Sequence, residues 1–497
     1  MLWPRPRTWL AGVAVAAGAA CAISGGLHAH QHADALVPVL VSLQRWTPFY
    51  WEQERYGMLV PLLALPVRDP LWNLLLQRLL LATASLGAVV LLARHVLQER
   101  DWRLAGLLSA GALLALAPAP WLFEWLADQP YGLSLGVALL GLALAEPASP
   151  GHGDRGRRGG GQVALGALLV LLAHWVNAGA GLLLLPLAVA RALVDKAEKE
   201  LLPSPGSTAP YRTGIRDRLL LDVVLLLCGL AAGQLAFPLL AGREVDASQA
   251  SGLLPLAEWP RAWATLLRDA WALGAGWACA LAVAAGLGVA LLALEREGRP
   301  ALPRLLLRSL ALLAAAVAYA LLAGALRWVA RNGFHWRYLA PSFVLVHVAA
   351  FSLLAEPVAR TRRAGVAAGR LAWAAALALP VLGALWTFGP PSPVRVRDDL
   401  DRTAGALTAR VREARCDALA GAYWNVWPAV WHAGWTARDA RALYGVADRA
   451  GPTVPRWARP GARVCVAPGE EAEADRWLSA YGLAGSITRV ALPPPMD

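Results

Sequence analysis

Apolar runs recur along the chain at short intervals. They cover residues 9–27, 74–93, 104–118, 131–145, 219–240, 273–294, 305–326, 339–354 and 371–388. Each approaches the ~20 residues that a helix needs to cross the hydrocarbon core of a bilayer. Another run, 163–194, is interrupted by His174, Trp175 and Asn177. It reads as a tight pair of short helices or as a re-entrant hairpin. The count is eleven spans in the first case and nine in the second. Residues 58–65 are too short to span, and are expected to re-enter or to lie along the interface.

Beyond residue 390 the pattern changes. Residues 400–419 carry helical periodicity, AYWNVWPAVW reads as a helix or a strand, 463–467 alternates like a short strand, and 470–481 reads as another helix. The pattern predicts an all-α polytopic membrane domain over 1–390, with eleven transmembrane helices as the leading count. A small α/β domain is expected over 391–497.

Composition supports this reading. The 497 residues are 57% hydrophobic, with a mean hydropathy of +0.46. A net charge of +12 would suggest nucleic acid. Its distribution argues otherwise, because arginine collects in short segments such as Arg155, Arg157 and Arg158, or Arg360, Arg362 and Arg363. That is the positive-inside pattern of a cell inner-membrane protein. It places the N-terminus in the cytoplasm and residues 391–497 outside, and no nucleic-acid partner is expected. Arg5 and Arg7 precede the first run, which lacks a good cleavage site and reads as an uncleaved helix. The five cysteines have no metal-ligand spacing. Cys416 and Cys465 lie in the tail and can pair if it faces an oxidising compartment.

The candidate chemistry begins in the first outer loop, 28–73. Its first 34 residues, HAHQHADALVPVLVSLQRWTPFYWEQERYGMLVP, are unusually polar and aromatic. Asp34 at its start can act as a general base or hold a metal ion. Glu52 and Glu54 would share a face only on a strand. An extended chain would line up His28, His30 and His32 with Asp34 as a metal site; a helical or interfacial reading is stronger, and no metal ligands are assigned. The aromatic run 46–51 is expected to pack on the membrane surface. In the next outer loop, Glu124 and Asp128 would fall on one face of a helix. Arg327, Arg331 and Arg337 cluster with His335, Trp336 and Tyr338 against the positive-inside trend. They can anchor lipid headgroups or grip a phosphate. His174, at the tip of the interrupted run, lines a cavity or belongs to a capped turn.

These features together resemble the GT-C superfamily of membrane glycosyltransferases. The resemblance rests on an uncleaved first helix, a long outer loop with an early acid, and many short spans. It also rests on HWRYLAP before a late span and on an outer C-terminal domain. The segment FYWEQERYGMLVPLLALP is similar to uncharacterised bacterial membrane proteins of this type. The resemblance implies transfer of a sugar from a polyprenyl-phosphate-linked donor to an acceptor on the outer face. Asp34 would deprotonate the acceptor hydroxyl or coordinate a divalent cation, with Glu54 assisting. Ala35 follows Asp34 where the commoner pattern has adjacent acids. The second acid then falls to Glu52, Glu54, Glu124 or Asp128. Arg337, Tyr338, His335, Arg331, Glu52, Glu124, Asp128 and His174 would line the substrate site, among membrane lipids. The rival readings are a transporter or flippase and a non-catalytic envelope assembly protein.

Overall fold

The computed structural model describes residues 6–53, 56–97, 102–146, 160–201, 212–241, 252–293, 301–364, 366–437 and 442–492. Glu54 and the linker with Arg155, Arg157 and Arg158 lie outside the described residues. The described chain is mostly helical, with one small parallel sheet near its C-terminus. Four helical stretches are long and apolar enough to cross a membrane: Pro70–Leu97, Leu305–Ala325, Trp336–Leu354 and Arg370–Phe388. Shorter apolar helices include Thr8–Ser24, Trp102–Leu116, Tyr131–Ala145 and Gly160–Val176.

The chain divides into two compact units. One comprises Met1–Cys21 and Leu81–Thr387, the other Ala22–Leu80 and Phe388–Asp497. The linear hydropathy pattern does not contain this pairing of the first polar stretch with the tail.

The first unit is a bundle of apolar helices. Large side chains such as Leu168, Leu220, Val283 and Trp386 stand exposed on it, as expected of surfaces that face lipid. The interrupted run forms two helices, Gly160–Val176 and Gly179–Leu201. Asn177 Oδ1 accepts the Gly179 amide at 2.8 Å and closes the turn between them. Gly160–Val176 packs tightly on Tyr131–Ala145. A Cβ at Gly141 would lie 2.6 Å from the Gly166 carbonyl oxygen, and one at Gly166 equally close to that of Gly141. Only glycine permits that backbone approach, the small-residue packing that membrane helices favour. The segment LPLAEWPRAW runs into the helical stretch Trp259–Ala293, which is broken by non-helical backbone at Gly274.

The second unit is built on four parallel strands: β1 (Ala418–Ala420), β2 (Tyr444–Val446), β3 (Arg463–Val466) and β4 (Thr488–Ala491), in spatial order β2-β1-β3-β4. The helix expected over 400–419 is instead Pro393–Glu413, and Leu419 pairs as a strand residue with Gly445 and Cys465. Ser392 caps that helix by accepting the Arg395 amide. AYWNVWPAVW resolves as the start of the helix Tyr423–Thr436. A disulfide joins Cys416 to Cys465 with the Cα atoms 5.8 Å apart.

The first polar stretch is helical, the stronger of the readings weighed for its histidines: Gly26–His30 forms a 3-10 turn and Ala33–Leu43 a buried α-helix. Leu36, Val37 and Leu40 of that helix are buried in one core with Val426, Val430 and Trp431. The aromatic run does not lie on an outer surface. Phe49, Tyr50 and Trp51 are buried, and the Trp51 ring meets that of Trp427 at 5.6 Å. Area removal from water explains both outcomes. Burying a large apolar side chain stabilises by about 1.5–3 kcal/mol, and the tail supplies a partner surface that a local reading of the stretch omits.

Candidate functional site

The second unit brings four polar side chains from distant parts of the chain to one point. Asp34 lies in the first turn of the Ala33–Leu43 helix, where a carboxylate complements the helix dipole. Its Oδ1 accepts from Tyr423 Oη at 2.6 Å and from Arg449 Nη1 at 2.9 Å. The sequence separations are 389 and 415 residues. Arg449 Nη1 also reaches Tyr423 Oη at 2.5 Å, and Tyr50 Oη lies 2.9 Å from Tyr423 Oη. The guanidinium sits over the rings of Tyr50 and Tyr423, at 4.8 and 4.6 Å from their centroids.

Local sequence explains each placement. Pro38 has no N–H, so the Asp34 carbonyl four residues earlier lacks its helical donor. Tyr50 Oη supplies one at 3.3 Å. Tyr423 opens its helix just after β1, and Arg449 follows β2. Both therefore leave the carboxyl edge of adjacent parallel strands. From β1 the chain runs to β2 on one side and then crosses back to β3 on the other, so the strand order reverses between β1 and β3. Open parallel sheets generally bind ligands outside this carboxyl edge, close to such a reversal. Arg449 has φ 74°, a left-handed conformation unusual for a non-glycine residue.

Electrostatics fix the protonation states. Burial, then the neighbouring Tyr50 and Asp34, hold the Tyr423 phenol well above its ordinary value, so it remains a donor. Burial opposes charge on Arg449, but Tyr50, Tyr423, Asp34 and Asp448 outweigh it and keep the guanidinium ionised. The arrangement presents a half-buried carboxylate oriented by one cation and one phenol.

The remaining predicted residues fall elsewhere. Glu52, also in the second unit, adopts φ 54° and bonds the Gly451 amide and Tyr481. The three histidines do not form a metal-ligating group with Asp34, because the turn Gly26–His30 replaces the extended chain that grouping requires. His28 is fully buried, and burial, helped by Arg78, pushes its pKa down to about 4. His32 faces Trp424 edge-on at 5.8 Å.

In the first unit, Glu124 and Asp128 do not lie in a solvated loop. They are buried in a π-helical turn, Glu124–Asp128, that continues the helix Ala119–Phe123. Such turns are frequent at functional sites. Both acids and Tyr131 act electrostatically on Arg337, so this part of the predicted group is assembled. Tyr338 Oη accepts from Trp328 Nε1 at 2.9 Å, and His335 Nδ1 accepts the Arg337 amide at 3.2 Å. Arg331 ends a short helix and is exposed. His174 is buried, with Nδ1 2.7 Å from the Val170 carbonyl of its own helix.

Arg449, Tyr423, Tyr50 and Tyr481 were not singled out from sequence. Arg449 is hidden among many arginines. One signal was readable: proline four residues after Asp34 announces a carbonyl that needs an outside donor. No protein-family model matches the chain, and no curated protein matches it.

Proposed function

We propose that the chain is an inner-membrane glycosyltransferase of the GT-C type, moving a sugar from a polyprenyl-phosphate donor to an acceptor on the extracytoplasmic face. The observation that carries the reading is the Asp34 cluster. A carboxylate just beyond the first apolar helix is oriented by Arg449 and Tyr423 from the far end of the chain. The disulfide supports an extracytoplasmic tail, since such bonds persist in oxidising compartments. Eleven spans, with the N-terminus in the cytoplasm, agree with an outside tail.

In this reading the acceptor oxygen attacks the anomeric carbon of the donor. The bond from that carbon to the phosphate oxygen breaks, and polyprenyl phosphate leaves with the electron pair. Asp34 takes the hydroxyl proton, a step that typically contributes ~10²–10⁴-fold. Arg449 and Tyr423 hold the carboxylate and stay protonated.

The test is turnover of labelled polyprenyl-phosphate-linked pentoses and hexoses by purified protein. Asp34→Asn should insert normally and lose transfer. Near-normal transfer by this variant would remove Asp34 from the mechanism. One observation favours a non-catalytic assembly role: Asp34 Oδ1 already accepts two donors within its own unit. Under that role, no donor in the panel would be consumed by the wild-type protein.

A further inference from the structure

The turn that carries Arg449 is fastened on both flanks. Tyr481 Oη accepts the Ala450 amide at 3.0 Å and lies 3.1 Å from the Ala447 carbonyl. Trp427 Nε1 donates to the Asp448 carbonyl at 3.1 Å. Arg45 Nη1 donates to the Pro452 carbonyl at 2.6 Å. Glu52 Oε1 accepts the Gly451 amide at 2.8 Å, and its Oε2 lies 3.1 Å from Tyr481 Oη. Backbone groups of Ala447, Asp448, Ala450, Gly451 and Pro452 are thus each held by a side chain. The residue in the middle is Arg449, at φ 74°.

A non-glycine residue in that conformation is strained and persists only where its surroundings over-determine it. Glu52 itself stands at φ 54°. Its backbone is turned so that a residue exposed overall sends its carboxylate inward, 399 positions along the chain. Space for it exists because residue 451 is glycine: a Cβ there would lie 2.0 Å from Glu52 Oε1.

We propose that Glu52 is a positioning residue which, with Tyr481, clamps the 447–451 turn and so holds Arg449 on Asp34. This goes beyond the proposed glycosyl transfer, and its value to the reaction rests on that reading. Glu52 does not touch substrate in this assignment. It acts through backbone bonds, for which an acceptor oxygen is needed and a negative charge is not.

Hydrogen exchange of the full-length protein in lipid nanodiscs tests the clamp without any substrate. Glu52→Ala should speed exchange in peptides covering 447–452 by roughly five-fold, the loss of one ordinary hydrogen bond. Peptides over β1 and β3 should stay as in wild type. Gly451→Ala should reproduce the effect by displacing the carboxylate, and Glu52→Gln should restore wild-type protection. In an unfolding cycle, the effect of Glu52→Ala should shrink when Arg449→Met is already present. Unchanged exchange at 447–452, glutamine no better than alanine, or full additivity with Arg449→Met would each overturn the proposal. Transfer by the same variants is a separate reading. Wild-type protein inactive on every donor, with the exchange pattern as expected, would defeat the proposed function and leave the clamp standing.

Discussion

Two ion pairs of almost equal burial are built differently. In the first unit, Arg308 and Glu198 are each 13% exposed and pair through two parallel bonds, Nε to Oε1 at 2.7 Å and Nη2 to Oε2 at 3.1 Å. The third nitrogen, Nη1, donates to the Leu97 carbonyl. In the second unit, Arg449 and Asp34 are 17% and 14% exposed. There Arg449 Nη1 meets an oxygen shared with a phenol, on strained backbone, between two tyrosine rings. The first geometry matches fork to carboxylate and joins two helices. The second spreads one carboxylate over several donors that are themselves held from outside. A pair that serves packing alone has no need of that support, which is why the Asp34 cluster and not the Arg308 pair is taken as the site.

The comparison can be broken in several ways. The largest effect expected is loss of the Cys416–Cys465 bond, which closes a loop across a sequence separation of 49. Cys416→Ser should destabilise the second unit by about 2–4 kcal/mol. Exchange should rise around the Asp34 cluster and not around Arg308 if the two units unfold separately. Next, Arg308→Met should cost about 2 kcal/mol in chemical unfolding, less than a fully buried pair because part of it meets solvent. Arg308→Lys should recover only part of this, since the two-bond fork is lost. Tyr423→Phe should cost about 1 kcal/mol, one hydrogen bond in a satisfied network. A much larger loss would make the cluster a packing element like the Arg308 pair.

The smallest effect concerns pH. Burial raises the Glu52 carboxyl above its ordinary value, only partly offset by Tyr481 and the Gly451 amide. The folded protein then holds this proton more tightly than the unfolded chain. Stability from this group is greatest below the ordinary value of 4.5 and falls as pH rises through the folded value. Glu52→Gln should flatten that part of the stability profile, read from unfolding midpoints between acid and neutral pH.

Much of the helical layout was legible. The runs at 131–145 and 371–388 coincide closely with the helices Tyr131–Ala145 and Val366–Phe388, because apolar length alone marks such segments. The strand RVCVA emerged as β3. β1 and β2 were missed: each is three residues long and largely buried, and so offers no alternation to read. Asp34 was legible by position. Its partners were not, because Tyr423 and Arg449 meet it only through pairing of the first polar stretch with the tail. The aromatic run was misread for the same reason. Trp51 has the character of an interfacial anchor until Trp427 is known to cover it.

The most direct test sets Asp34→Asn beside Glu198→Gln in the same preparation, scoring both unfolding midpoint and transfer per folded molecule. Glu198→Gln should lower the midpoint more, since it dismantles the two-bond fork, and should leave transfer per folded molecule within about two-fold, being outside the chemistry. Asp34→Asn keeps an acceptor oxygen for Tyr423 and Arg449, so its midpoint should move less while transfer falls by ~10²–10⁴-fold. The contrary result is an Asp34→Asn protein that unfolds earlier than Glu198→Gln yet transfers normally once folded. That would make the Asp34 cluster a structural ion pair and move the chemistry to another part of the molecule.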